Sequence, residues 1–330
     1  MIPWVAIAGA VAIIFIPSEA YAWGLVTHLQ LGRDLIGNFR EFLQVYAPAI
    51  LQFPLIFHYG TVAPDRFLAK NLKAYREHTH NWDRAFLMLK HAGTDDLTAF
   101  ALGYLSHLAA DVVAHNHFVP MKILEQPSMR GRRHSWWELK FEHYQPKEAW
   151  DLAEVVDQTV DKHLYDSFME AYQSPSLLSF EANMALTDRF FRAMGSGVTR
   201  RWVSRLENNS PTALLKDEVT VYMDLARDCI LSVVEERERS FATAADPRGG
   251  SRISHARMLS KAVVRSANRG LPRSLKRHYG QEMSSLLEDA ATVLPVDTAK
   301  RPANAKAYER LLEDPRLVPQ AGTQIPKRRK

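Results

Sequence analysis

Residues Gly103 to Asn116 read GYLSHLAADVVAHN, with His117 and Phe118 directly behind them. From Leu97 to Ala114 the chain is almost uniformly apolar, and a helix apolar on every side is one buried in a core. His107 and Asp111 stand four residues apart in it, so a helix stacks an imidazole and a carboxylate on one face, where both can turn to one cation. A buried carboxylate without a partner costs several kcal/mol. No lysine or arginine lies in this helix to serve, so the stretch implies a buried helix that carries metal ligands.

Further candidates lie on either side. A second pair of the same form, His134 and Glu138, follows in RRHSWWELKFE. Upstream are Asp65 in VAPDRF, His78 and His80 in YREHTHNWD, and His28 shortly after Trp23 in AYAWGLVTH. A single His–carboxylate pair is more often an ordinary hydrogen bond, but nine of the thirteen histidines fall before residue 140, and this clustering favours a metal. Cys229 is the only cysteine. It excludes an intramolecular disulfide and any cysteine-based zinc site, so a metal here is held by nitrogen and oxygen.

With 46% apolar and 24% charged residues over 330 positions, the chain is that of a folded globular protein. Much of the formal charge of +5 comes from Arg248 onward, ending in Lys327, Arg328, Arg329 and Lys330. Such a basic end is a solvating or loosely interacting segment that suits peripheral contact with an anionic membrane, and no specific nucleic-acid partner is favoured. Residues 4–16, WVAIAGAVAIIFI, are too short to span a bilayer comfortably as a helix, which takes about 20 residues. Pro17, Ser18 and Glu19 follow, then Ala20-Tyr21-Ala22, a small-x-small cleavage signature. Residues 1–22 therefore read as a signal peptide, the mature chain as starting at Trp23, and the product as exported, periplasmic or secreted. Met1-Ile2-Pro3 carries no basic side chain, and the alternatives are a membrane anchor over residues 4–16 or a buried N-terminal helix.

Apolar residues recur at helical spacing from His28 to about Ala47, and Pro48 breaks the pattern. In GTVAPDRF, Pro64 leads Asp65 out of a turn, which exposes a carboxylate at the mouth of whatever cavity lies below, or makes it a helix N-cap. A helix follows over 82–91, and Thr94-Asp95-Asp96 supplies the N-cap of the apolar helix. After Pro120 comes a loop with Pro127, Gly131 and three arginines, then a helix through His134 to Phe141 whose Trp136 and Trp137 are packing residues or walls of an apolar cleft. Residues 146–238 are amphipathic scaffold helices, 239–250 a polar linker, 251–291 basic amphipathic helices, and 292–330 mostly disordered. Strand signals are nearly absent, so the fold class is all-α. The organisation is a main unit over 23–180, a helical continuation to 240, a basic helical extension over 241–294 and a tail over 295–330.

In that order, Trp23, His28, Asp65, His78 or His80, His107-LAA-Asp111, His115 or His117, and His134-SWW-Glu138 resemble the zinc-dependent phospholipase C family, which includes the S1/P1-type nucleases. The resemblance covers about residues 23–180, and nothing beyond 240 adds to it. It implies an all-helical fold and three Zn2+ ions. Asp65, His107 and Asp111 with one of His78 and His80 would hold one ion. Asp111 would bridge to a second, bound by His28 and by the amino nitrogen and carbonyl oxygen of Trp23. His134, Glu138 and one of His115 and His117 would hold the third. Family spacing selects His117, whereas straight helical geometry brings His115 onto the face of His107 and Asp111; the family distance from Asp65 favours His80.

What the resemblance implies is phosphodiester hydrolysis, with Asp65 orienting or deprotonating the water. Glu138 looks like the phospholipase branch, and the five-residue step from Trp23 to His28 looks like the nucleases. With no disulfides and no visible aromatic platform for bases, phospholipase C-type cleavage of phospholipids is the leading reading. The alternatives are an S1/P1-type nuclease on single-stranded nucleic acid and, in a different class, a non-catalytic exported helical protein stabilised by zinc.

Overall fold

The computed structural model describes residues 23–66, 79–125, 133–172, 180–208 and 214–269; His78, the expected signal peptide and the expected tail lie outside them. Among the described residues the regular elements are helical and no strand is present, so the fold is all-α as the sequence predicts. The helix expected over 28–47 is two, α1 (Leu25–Asn38) and α2 (Arg40–Tyr46). Phe39, at φ −125° and ψ 35°, breaks the run just after Gly37 and Asn38, both poor helix formers. Next come α3 (Pro48–Gln52) and α4 (Pro54–Gly60), each opened by a proline where its missing N–H costs nothing.

The organising element is α6 (Asp95–Val113), in which every residue from Ala99 to Val113 is buried. A wide π turn (Ala114–Phe118) and α7 (Val119–Glu125) continue it without a break, where the sequence suggested a helix to Ala114 and a loop after Pro120. Proline removes one i→i−4 hydrogen bond and crowds the preceding turn, and a widened turn just upstream relieves both. By length and composition the run Asp95–Leu124 could cross a membrane; 89% of its apolar window is instead buried inside the bundle, so it is a core helix.

Around α6 pack α4, α5 (Trp82–Lys90) and α13 (Lys216–Glu236). The crossing of α4 with α6 is a backbone contact. A Cβ on Gly103 would strike the Phe57 carbonyl oxygen, and one on Gly60 would strike that of Phe100. Only glycine permits that approach, and it brings Thr61, at the end of α4, beside His107. The remaining helices are α8 (Arg133–Glu142), α9 (Lys147–Thr159), α10 (Lys162–Glu170), α11 (Phe180–Met194), α12 (Gly197–Asn208) and α14 (Gly250–Arg269). One apolar cluster runs from Trp23 to Leu259, and each large side chain in it contributes about 1.5–3 kcal/mol by burial.

The polar stretch 239–250, expected as a linker, is packed. Ser240, Ala242, Pro247 and Gly249 are buried. The Ser240 hydroxyl meets that of Ser232 on α13 at 2.8 Å, and α14 lies along α7 and the π turn. Its polar side chains and carbonyls bond to the bundle, which composition alone does not reveal.

Candidate metal centre

On α6, His107 places Nδ1 2.8 Å from the Thr61 carbonyl oxygen. A carbonyl only accepts, so that nitrogen carries the proton, and Nε2 turns its lone pair toward Asp111, 3.2 Å from Oδ2. His80 enters from the chain just before α5. Its Nε2 is 3.0 Å from His107 Nε2, 3.0 Å from Asp111 Oδ2 and 3.4 Å from Asp65 Oδ1. That position is fixed locally: Thr79 Oγ1 contacts His80 Nδ1 at 3.0 Å, Tyr104 donates to the Thr79 carbonyl, and Asn81 caps α5 through the Arg84 amide. From α1, His28 stacks on the His107 ring with centroids 4.0 Å apart and sets Nε2 3.4 Å from Asp111 Oδ1.

Asp65 lies in a 3-10 turn (Ala63–Arg66) and is 7% exposed, so the carboxylate expected at an open mouth is buried. The next residue explains it. Arg66 is drawn inward to Asp166 at 3.1 Å and to Asp188, with Tyr59 donating to Asp166 and lying under the guanidinium at 5.4 Å. The turn follows its arginine into the core. Among the described residues this brings together two groups of three side chains able to hold a metal ion, His28–His107–Asp111 and Asp65–His80–His107, with the nitrogen and oxygen atoms of each within 4.8 Å of one another.

The donor chemistry fits a divalent cation. Asp111 is fully buried, yet neither of its oxygens accepts a hydrogen bond, and His28 Nε2 is likewise unbonded. Burial opposes ionisation of Asp111, but His107, with His28 and His80, outweighs it and holds the carboxyl well below the usual range. Burial, then the neighbouring His107, lowers His28 to about 4. A carboxylate amid three imidazoles, with no thiolate among them, is a nitrogen–oxygen set of the kind zinc takes.

In the π turn, His115 places Nε2 3.6 Å from Glu138 Oε1 on α8, and its Nδ1 lies 2.6 Å from the Pro247 carbonyl oxygen. Family spacing selected His117, but the structure brings His115 to Glu138. His115 precedes most of the widening and keeps the face of Asp111, 4.0 Å away, whereas His117 is buried beside Arg252, its pKa lowered to about 4 by burial and then by that arginine. Burial raises Glu138 to about 8 against the pull of His115. His134 sits in the first turn of α8, and its side chain lies outside what is described. Trp137 is a packing residue, with the ammoniums of Lys140 and Lys122 over its ring at 4.6 and 5.6 Å.

Trp23 is fully buried, its indole stacked on Phe141 at 4.8 Å. Beside it is a residue that sequence reasoning missed. Glu142 accepts from the amides of Val26 and Thr27, both at 2.9 Å, and from the Thr27 hydroxyl, so a side chain of α8 caps α1. Its i,i+4 relation to Glu138 was a usable signal. Thr61, Asp246 and Pro247 act through backbone carbonyls and leave none.

Residues 27–185 match the family model described as zinc dependent phospholipase C. No curated protein and no solved structure matches the chain. The matched stretch holds Asp65, His80, His107, Asp111, His115 and Glu138, and stops short of Pro247.

Proposed function

With residues 27–185 forming a zinc dependent phospholipase C domain, and the protein thereby a phosphodiester hydrolase, we propose that it cleaves phospholipids to diacylglycerol and a phosphorylated headgroup at a centre of three zinc ions. The observation that carries this reading is the convergence of His28, His80 and His107 on the two unbonded oxygens of Asp111. In it, Asp65, His80, His107 and Asp111 hold one ion. Asp111, His28 and the amino nitrogen and carbonyl oxygen of Trp23 hold a second. His115, Glu138 and His134 hold the third.

Bound zinc supplies a Lewis acid that polarises phosphoryl oxygens and acidifies water. The chain does the rest. Thr61 and Pro247 keep His107 and His115 protonated on Nδ1, so that both present the lone pair of Nε2 as a ligand. Asp111 and Glu138 bring negative charge to the cations from inside the core. Asp65, on a turn held by Arg66, orients the attacking water and takes its proton.

Export belongs to the same reading. Cleavage after Ala22 would turn the Trp23 nitrogen from an amide, whose lone pair is delocalised, into an amine able to bind metal. The basic residues from Arg248 onward would add a salt-sensitive attraction to anionic membranes.

The test is to purify residues 23–330, count zinc by mass spectrometry, and assay phosphatidylcholine and single-stranded DNA side by side. Three zinc ions and lipid turnover are the expected result. Turnover of DNA alone would move the protein to the nuclease branch, and zinc without turnover of either would leave a structural metal.

A further inference from the structure

The segment from Ala245 to Gly250 lies outside the matched stretch, yet three of its carbonyls in succession accept side-chain donors from the helices of the metal centre. Ala245 accepts from Trp82 Nε1 at 2.9 Å, Asp246 from Asn116 Nδ2 at 2.9 Å, and Pro247 from His115 Nδ1 at 2.6 Å. Two of these three donors are neighbours in the π turn. Asn116 also donates to the Val112 carbonyl at 3.0 Å, so one side chain ties α6 to the segment.

The segment is shaped for this contact. Asp246 closes a turn on itself, accepting from the Arg248 amide at 3.0 Å and, through its backbone oxygen, from the Gly249 amide at 2.9 Å. Gly249 has φ +56°, in the left-handed region. A Cβ there would land on the His115 carbonyl oxygen, so a glycine is needed both for the conformation and for the approach. From Gly249 the chain passes directly into α14, which packs on α7 and the π turn.

Resting on the reading of this centre as a zinc site, we infer that residues 245–250 are a positioning strap that sets the tautomer and orientation of His115 for the ion shared with Glu138. The chemical reason is direct. Either imidazole nitrogen can carry the proton, and only with it on Nδ1 does Nε2 face Glu138 as a ligand. The Pro247 carbonyl, which cannot donate, enforces that form. Partners of this kind are worth about 10–100-fold in metal affinity. A functional centre thus needs chain well past residue 185.

The test uses the full mature chain with Gly249→Ala, which drives a methyl into the His115 carbonyl, and separately Asn116→Leu, which removes the tie to Asp246. Zinc affinity is measured for each ion by chelator competition, the histidine side-chain nitrogens by 15N NMR of the zinc-loaded protein, and helix content by circular dichroism. The expected result is a folded protein in which one ion binds about 10–100-fold more weakly, the others are unchanged, and the protected Nδ1–H signal of His115 is lost or shifted. Unaltered affinity for every ion together with an unaltered His115 signal overturns the strap. So does outright unfolding of both variants, since positioning requires a folded chain with one impaired ion. If the unsubstituted protein binds no zinc, the reading of the centre itself fails and the strap falls with it.

Discussion

His80 and His107 face each other through their Nε2 atoms at 3.0 Å, and an Asp111 oxygen lies within 3.2 Å of both. Because the Thr61 carbonyl holds the His107 proton on Nδ1, His107 Nε2 presents its lone pair to the space it shares with His80 Nε2 and Asp111. His107 belongs to both ligand groups, and Asp111 is the carboxylate on which His28, His80 and His107 converge.

Asp111→Asn keeps the shape and removes the charge. It should leave the helical fold intact, lower zinc affinity at two ions by at least about a hundredfold, and abolish hydrolysis, since removing a ligand costs more than removing its support. Mass spectrometry of bound zinc with circular dichroism checks it. An Asn variant with full metal and activity would remove Asp111 from the centre.

Stability of the metal-free protein should peak near about pH 6 and fall on both sides. His28, His58 and His117 are lowered to about 4, 3 and 4 by burial, so the folded chain binds fewer protons than the unfolded one below 6.5, and stability is lost as the pH falls through that range. Glu138 and Glu142 are raised to about 8 and 7 by burial, so the folded chain holds extra protons and stability is lost as the pH rises from 4.5 toward 8. Zinc should remove the part of the alkaline loss that belongs to Glu138, because it binds the carboxylate form. Thermal melts of the metal-free and loaded protein from pH 4 to 9 test this, and matching profiles in the two forms would contradict it.

Arg66→Met should destabilise by about 3–5 kcal/mol, because Asp166 would be left buried without its cation. The turn holding Asp65 should loosen with it, so metal affinity falls further than in a surface variant of equal length. Denaturant titration gives the first number and chelator competition the second. A loss below about 1 kcal/mol would show that Tyr59 alone satisfies Asp166.

Glu142→Gln should be tolerated near neutral pH, where burial already keeps much of the carboxyl protonated, and should flatten part of the alkaline fall. Glu142→Ala strands the amides of Val26 and Thr27 and should cost about 1–3 kcal/mol. Equal melting temperatures for the Ala and Gln variants would show that water replaces the cap.

The all-α class and the buried helix were legible because α6 is apolar on every side. The pairing of His107 with Asp111 followed from the 3.6-residue period alone. Other features were hidden for physical reasons. Asp65 reads as an exposed turn residue because the pull on Arg66 comes from Asp166 and Asp188, about a hundred residues away. That His115 rather than His117 reaches Glu138 agrees with straight helical geometry, which puts His115 on the face of Asp111, whereas the linear family spacing pointed to His117. The strap over 245–250 reads as a linker because it acts through carbonyls, which every residue carries.

The π turn also has a consequence for the helix on either side of it. Each residue of a regular helix advances the side chains by about 100°, and a single wide turn absorbs one residue, so α7 is out of phase with α6 by roughly that angle. His107 and Asp111 lie before the shift; Phe118, packed on Trp23 and Phe141, closes the turn, and Lys122, paired with Glu218, lies after it. Shortening this turn by one residue would leave the first two in place while rotating the others off their partners. The pair His107 and Asp111 and the wall beyond the turn are therefore separately adjustable along one continuous helix, and length variation at Ala114–Phe118 is a route by which that wall, together with His115 inside the turn, can be changed without moving Asp111.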